Sequence, residues 1–290
     1  MHYLENEFLR VSASNQGAEL TGIFDKKNAL ERLWNADPDI WNRHAPVLFP
    51  FVGRLLDNQY TYRGQTWSLP QHGFARDCEF GLKRATATTL SFELTDSPES
   101  RARYPFAFVL QVDYTLHENS VQVAYTVSNP GSDTLLFSIG GHPGFACPLL
   151  EGEVFSDYYI QFERKETAAR WYANENGHIE RKEERYLLDT DIIPYTLDRF
   201  REDALIFKDL QSSWVAIKSF KNDHAVTLDF AGWPFLGIWS KPGGAPFICL
   251  EPWYGIADHV GHDGDLSRKE GIIALEPDLS FCCAYELTFS

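Results

Sequence analysis

Two histidines, one glutamate and one arginine stand in frames suited to chemistry. The histidine frames are Gln71-His72-Gly73-Phe74-Ala75-Arg76 and Gly140-Gly141-His142-Pro143-Gly144-Phe145. The glutamate lies in Cys249-Leu250-Glu251-Pro252-Trp253 and the arginine in Phe49-Pro50-Phe51-Val52-Gly53-Arg54. Each frame follows strand-like residues and carries glycine or proline that bends the chain, where a β scaffold presents side chains to a ligand. A proton donor, a proton acceptor and a fixed cation suit proton transfer on a neutral polar substrate, with no metal or organic cofactor. Taken singly, each residue has a bland reading. A glutamate between apolar neighbours is often an ion-paired structural residue, and a histidine in a Gly-Pro turn is often structural or exposed. Their joint occurrence favours function. The apolar neighbours of Glu251 would also desolvate it, raising its pKa and making it a better base.

The elements that must position these groups are strands. Phe106 to Leu116 alternates apolar and polar residues, turns at His117-Glu118-Asn119-Ser120, and resumes alternation from Val121 to Val127. Two strands joined by a short polar turn follow from that pattern. Hairpin-like units recur around Tyr60 to Trp67 and Trp214 to Ile217, and Ala225 to Phe230 and Cys282 to Phe289 add strands. Helical periodicity is scarce: Asn28 to Trp34 predicts one turn or two, and Leu197 to Asp203 another. Many short strands without long helices indicate an all-β antiparallel sandwich or barrel. Without a linker, strong repeat or low-complexity tract, residues 1–290 are expected to form one domain.

Composition narrows the partners. Hydrophobic residues at 44% can fill a core, and 23% charged residues is ordinary for a soluble protein. A formal charge of −15, from 26 basic and 41 acidic residues, argues against nucleic acid, whose phosphates demand basic patches. The mixed-charge run Glu180 to Arg185 is expected to be solvated surface. No apolar run approaches the roughly 20 residues that span a bilayer, and Met1 to Glu7 lacks a signal-peptide pattern. The five cysteines, Cys78, Cys147, Cys249, Cys282 and Cys283, have no metal-ligand spacing. Cys282 and Cys283 would point to opposite faces of a strand. A reduced, cytoplasmic protein is the simplest expectation. Oligomeric state is not legible.

One stretch has metal-like residue types. Asp258-His259-Val260-Gly261-His262-Asp263-Gly264-Asp265 places acids around two histidines. The spacing fits no familiar zinc or calcium loop, and an ordinary solvated turn is expected.

In order and spacing the frames resemble the aldose 1-epimerase (galactose mutarotase-like) family, most closely its LacX-like branch, which carries HGFAR and the Glu-Pro-Trp frame. Arg54 followed ten residues later by Gly64, Tyr104-Pro105-Phe106 ahead of the alternating strands, and Lys269-Glu270-Gly271-Ile272 near the end extend the likeness along most of the chain. The resemblance implies a large twisted antiparallel β-sandwich with its site in an open groove on one sheet.

It also implies roles. Opening a cyclic hemiacetal removes a proton from O1 and adds one to the ring oxygen, and closing on the other face of the carbonyl yields the opposite anomer. By resemblance Glu251 is the base at O1 and His142 the acid at the ring oxygen, while His72 and Arg54 hold sugar hydroxyls. Asp203 sits like the family's sugar-binding aspartate in differing surroundings, so a helix cap or surface acid stays open. Arg76 and Lys241 could reach a ligand or hold loops. Trp253 and Trp239 could offer an aromatic face to a sugar ring or fill the core.

Three functions fit this reading: an anomer-interconverting isomerase of free aldohexoses, a hexose-6-phosphate 1-epimerase with Arg76 and Lys241 on the phosphate, and a non-catalytic carbohydrate-binding or sensing protein. An acid, a base and an arginine together favour an enzyme over a binder. Chain acidity and the Phe49 to Arg54 stretch favour the free sugar. Which sugar is not legible.

Overall fold

Along Val109–His117 buried positions alternate with half-buried ones, and the same alternation runs through Ser120–Ser128. The two strands pair antiparallel from Val109 opposite Ser128 to His117 opposite Ser120, turning at Glu118 and Asn119. A period of two puts every second side chain on one face, so this register places Leu110, Val112, Tyr114 and Leu116 in the core. The computed structural model describes residues 1–290, except the side chains of Arg181, Glu183 and Leu197.

The strands build a large twisted antiparallel β-sandwich. Its main sheet has 15 strands, running from Val47–Leu48 at one end to Gly81–Ala85 at the other. A four-stranded N-terminal sheet, His2–Glu5 to Leu30–Glu31, packs against it, with Leu4, Val11 and Ile23 joining Leu90 and Tyr114 in one continuous core. Among the described residues the only α-helix is the four-residue Pro98–Arg101, and no helix is long and apolar enough to cross a membrane. All five cysteines are free. Of the mixed-charge run, Lys182, Glu184 and Arg185 are exposed, while the side chains of Arg181 and Glu183 lie outside the described residues.

Three expectations change. Residues 28–34 form a turn and the short strand Leu30–Glu31 rather than a helical turn, because the sheet captures them: Leu30 and Glu31 pair with Asp25 and Phe24. Residues 197–200 form a 3-10 turn that stops short of Asp203. The metal-like stretch is not wholly solvated. Asp258 is 3% exposed, its Oδ1 accepting from Lys269 Nζ at 2.8 Å.

A hairpin of two 16-residue strands, Tyr158–Ala173 and Ile179–Pro194, carries no clean alternation in the sequence. Register shifts at four places along the pair explain why. Its tip docks on the metal-like stretch, with the Ile179 N–H donating to the Asp258 carbonyl at 2.9 Å and the Val260 N–H to the Ile179 carbonyl at 2.8 Å.

Candidate active site

Strand Phe247–Tyr254 supplies the carboxylate. Phe235–Trp239 lines one of its sides without a break. On the other side Ile139–Gly141 and Gly144–Ala146 pair with it, and the interruption at His142-Pro143 falls opposite Leu250 to Pro252. Prolines at 143 and 252 cannot donate to a ladder, so the break falls where two donors are missing. The bulging chain carries His142 over Glu251, and His142 Nε2 comes to 3.1 Å from Glu251 Oε2.

His72 arrives from another loop. Its φ of 64° and the φ of 71° at Gly73 fold the chain back onto residues 49–53. A Cβ on Gly73 would meet the Phe49 carbonyl oxygen at 2.3 Å, so only glycine fits there. The His72 N–H donates to the Gly53 carbonyl at 2.8 Å, and the Gly53 N–H donates to His72 Nδ1 at 3.1 Å. That second bond leaves the proton of the neutral imidazole on Nε2, making His72 a donor. Its ring stands edge-on to His142 at 5.7 Å between centroids.

These groups meet in a cleft of about 230 Å³ lined by Gln71, His72, Arg76, His142, Asp203 and Glu251 among apolar walls. Val52, Ala173, Ile179, Ile206 and Trp253 belong to one apolar cluster, and Phe247 with Trp41 and Trp239 to a second, so the polar groups sit between two dry flanks. The Trp253 ring lies where a Cβ on Gly140 or Gly237 would be, at 2.7 and 2.4 Å, so those glycines admit it. It is at once core filling and cleft wall.

Burial sets the electrostatics. Glu251, 1% exposed, has its pKa raised well above 4.5, by desolvation first and then by the Asp203 charge, with the Trp253 indole opposing. The Asp203 carboxyl is raised by desolvation as well, against the Ala204 N–H and the Arg54 charge. Desolvation lowers His142 to about 3, with Arg76 and Arg43 adding to it. His72 is lowered well below 6.5 by desolvation, then by His142 and the neighbouring arginines. His142 Nδ1 and Glu251 Oε2 are buried without a hydrogen-bond partner. Buried polar atoms are normally hydrogen-bonded, so an unpaired one calls for an explanation.

The remaining positions divide. Asp203 follows the 3-10 turn with a φ of 98°, a strained value for a side-chain-bearing residue, and lines the cleft. Arg76 lines it too, but its Nη2 donates to the Gln71 carbonyl at 2.8 Å. Arg54 stands at the edge, where Nη2 donates to Gln71 Oε1 at 3.1 Å and Nε is buried without a partner. Lys241 is not among the lining residues: exposed, it donates from Nζ to the Ile40 carbonyl at 2.5 Å and holds that loop.

Sequence reasoning did not single out Trp41 and Gln71. The Trp41 ring lies 5.0 Å from His142 and stacks on Phe247 at 5.1 Å. Its segment has no periodicity, and the sequence signal for it is Gly144, where a Cβ would meet the Trp41 ring at 2.8 Å. Gln71 was visible as the neighbour of His72, yet nothing marked it as the residue that links Arg54 to the cleft.

Comparison with known proteins agrees with this architecture. A family model described as aldose 1-epimerase matches residues 2–273. The chain belongs to the aldose 1-epimerase family. It is 33% identical over 295 residues to the plasmid-encoded protein LacX of Lactococcus lactis subsp. lactis, covering 98% of each. The galactose mutarotase related enzyme of Lactobacillus acidophilus superposes with a TM-score of 0.94 at 37% identity, over 100% of this chain and 97% of that one. A galactose mutarotase-like protein from Lactobacillus casei gives 0.94 at 30% identity, over 100% of both. Membership of this aldose 1-epimerase family supports a sugar epimerase role.

Proposed function

We propose that the protein interconverts the α and β anomers of a free aldohexose by acid-base ring opening and closure. The observation that carries this reading is the approach of Glu251 to His142 on the cleft floor, 3.1 Å apart and both buried. O1 and the ring oxygen share one carbon, so base and acid must converge on a single C–O unit. Glu251 as carboxylate takes the O1 proton while His142 gives a proton to the ring oxygen, and the ring opens. Rotation about the C1–C2 bond presents the other carbonyl face, and reversal of both transfers closes the ring. The pair holds one proton in total, on the carboxyl or on the imidazole, and each turnover restores it.

The His72 Nε2–H, Asp203, Gln71 and Arg54 hold sugar hydroxyls, with Arg76 beside them. Trp253, Trp239 and Trp41 face the apolar side of the ring. A 6-phosphate would call for Arg76 and Lys241 together. The Lys241 bond to the Ile40 carbonyl and the Arg76 bond to the Gln71 carbonyl favour the free sugar. Five free thiols support a reducing cytoplasmic setting.

The direct test is NMR exchange spectroscopy between the anomers of a panel of free aldoses and their 6-phosphates. Acceleration over buffer for at least one free hexose is expected. No acceleration for any sugar would leave a binding or sensing protein as the better reading.

A further inference from the structure

Cys249 and Glu251, two residues apart on strand Phe247–Tyr254, share a face of the sheet. The break in the neighbouring strand carries His142 over them. A His142 ring nitrogen, the Cys249 Sγ and a Glu251 carboxylate oxygen all lie within 4.8 Å of one another. The residues are 8%, 0% and 1% exposed, respectively. Glu251 Oε2 is buried, with His142 Nε2 at 3.1 Å as its polar neighbour. Acid-base chemistry uses two of the three residues and leaves Cys249 without a role.

We propose that His142, Cys249 and Glu251 are the three protein ligands of a site for a borderline-soft divalent cation, best matched by Zn²⁺, whose binding shuts the acid-base pair off. Nitrogen, sulfur and oxygen donors with one open position make a donor set that zinc accepts. Bonds of about 2.0–2.3 Å place tetrahedral ligands roughly 3.3–3.6 Å apart, so the group has only about 1 Å to close. Thiolate disfavours Mg²⁺ and Ca²⁺, which prefer oxygen.

The protons balance. The Cys249 S–H bond breaks as sulfur bonds the metal, and the single proton held by Glu251 and His142 leaves. One Zn²⁺ enters, two H⁺ depart, and the charge of the site is unchanged. Without the metal, burial holds the Cys249 thiol protonated, which keeps it out of the sugar chemistry. The inhibition rests on the roles proposed above for Glu251 and His142. The site itself does not, so binding and turnover are read separately.

The full-length protein, stripped with EDTA, is titrated with ZnCl₂ by calorimetry and with CoCl₂ by absorption, beside Cys249→Ala and His142→Ala. Mutarotation is followed at each zinc concentration for wild type and Cys249→Ala. Wild type is expected to show a thiolate-to-cobalt charge-transfer band and to lose turnover with zinc, regaining it with EDTA, while Mg²⁺ does nothing. Cys249→Ala should keep its metal-free rate, lose the band, bind zinc at least about tenfold more weakly and resist inhibition. His142→Ala should weaken zinc binding similarly, so the site is testable even if one variant fails to fold. Equal zinc affinity in wild type and both variants, or none in wild type, overturns the site. Zinc held by Cys249 with turnover intact overturns the switch and the acid-base roles together.

Discussion

Glu251 Oε2 and His142 Nε2 approach to 3.1 Å in a pocket that penalises charge on either of them. Desolvation and the Asp203 charge push the carboxyl up, while desolvation and the nearby arginines push the imidazole down. In the free protein the pair's single proton therefore favours the carboxyl, and the one-proton pair is the form that turns over. As pH rises that proton is lost at the raised pKa of Glu251, while a second proton enters only at the lowered pKa of His142. We expect the alkaline limb of kcat/KM for anomer exchange to lie clearly above pH 4.5 and the acid limb below it. A pH-rate profile from NMR exchange checks this, and an acid limb above 4.5 would contradict it.

Glu251→Gln keeps the shape of the side chain and removes the base. Mutarotation should fall by at least ~10² with the melting temperature held or raised, since a desolvated buried carboxyl is replaced by a neutral amide. Near-wild-type turnover in a folded Glu251→Gln protein would remove Glu251 from the mechanism.

Arg76 lines the cleft without a sugar-specific task in this scheme. A phosphate dianion held there would gain charge-assisted hydrogen bonds of roughly 1.5–3 kcal/mol each. Arg76→Ala is expected to change kcat/KM only modestly and equally for glucose, galactose and their 6-phosphates. A wild-type preference for the phosphates that collapses in Arg76→Ala would promote the sugar-phosphate reading.

Asp258 joins the pieces around the cleft. Its N–H donates to the Arg54 carbonyl at 2.8 Å, its carbonyl accepts from Ile179, its Oδ2 accepts from the Leu56 N–H at 2.9 Å, and its Oδ1 holds Lys269. Lys269 also donates to the Ile256 carbonyl at 2.7 Å. Asp258→Ala leaves a buried ammonium unpaired and should destabilise the fold by about 3–5 kcal/mol. Asp258→Leu with Lys269→Met should recover much of that stability but not the placement of Arg54. Chemical denaturation reads the first effect, and KM in the double variant, expected to stay raised, reads the second.

His72 and His142 also predict how stability changes with pH. Both have folded pKa values below 6.5, so below that pH the unfolded chain binds protons that the folded chain refuses. Stability should fall as pH drops through 6.5, by about 1.4 kcal/mol per histidine at one unit below. The raised Glu251 acts oppositely, adding stability as pH falls toward 4.5. Melting temperatures from pH 7.5 to 5.5 should decline less in His72→Asn than in wild type. Parallel declines would mean that His72 is not buried neutral.

Much was written in the sequence because the forces involved are local. Alternation from Phe106 to Val127 determined a hairpin, since a period of two leaves one face to bury. Gly73 beside His72 marked a bend, because close backbone approach at positive φ favours that residue, whereas the glycines beside His142 lie in strands and make room for the Trp253, Tyr285 and Trp41 rings. Apolar neighbours on both sides of Glu251 already implied a raised pKa, and burial delivers it.

Other features depended on partners distant in the chain. Residues 28–34 became strand because pairing with Phe24 and Asp25 outweighed a weak helical pattern. Asp258 looked like solvated loop until Lys269, Leu56 and Ile179 met it, and hydrogen bonds from such separated residues leave no local signature. Lys241 and Arg76 carried equal promise as cations, and only the folded chain placed one in the cleft and the other on the Ile40 carbonyl. Residue type and spacing determined which chemistry was available. Which groups converge to 3.1 Å, and with what pKa, depended on the break at His142-Pro143 and on the dry flanks around it, because desolvation and distance are properties of the packed chain.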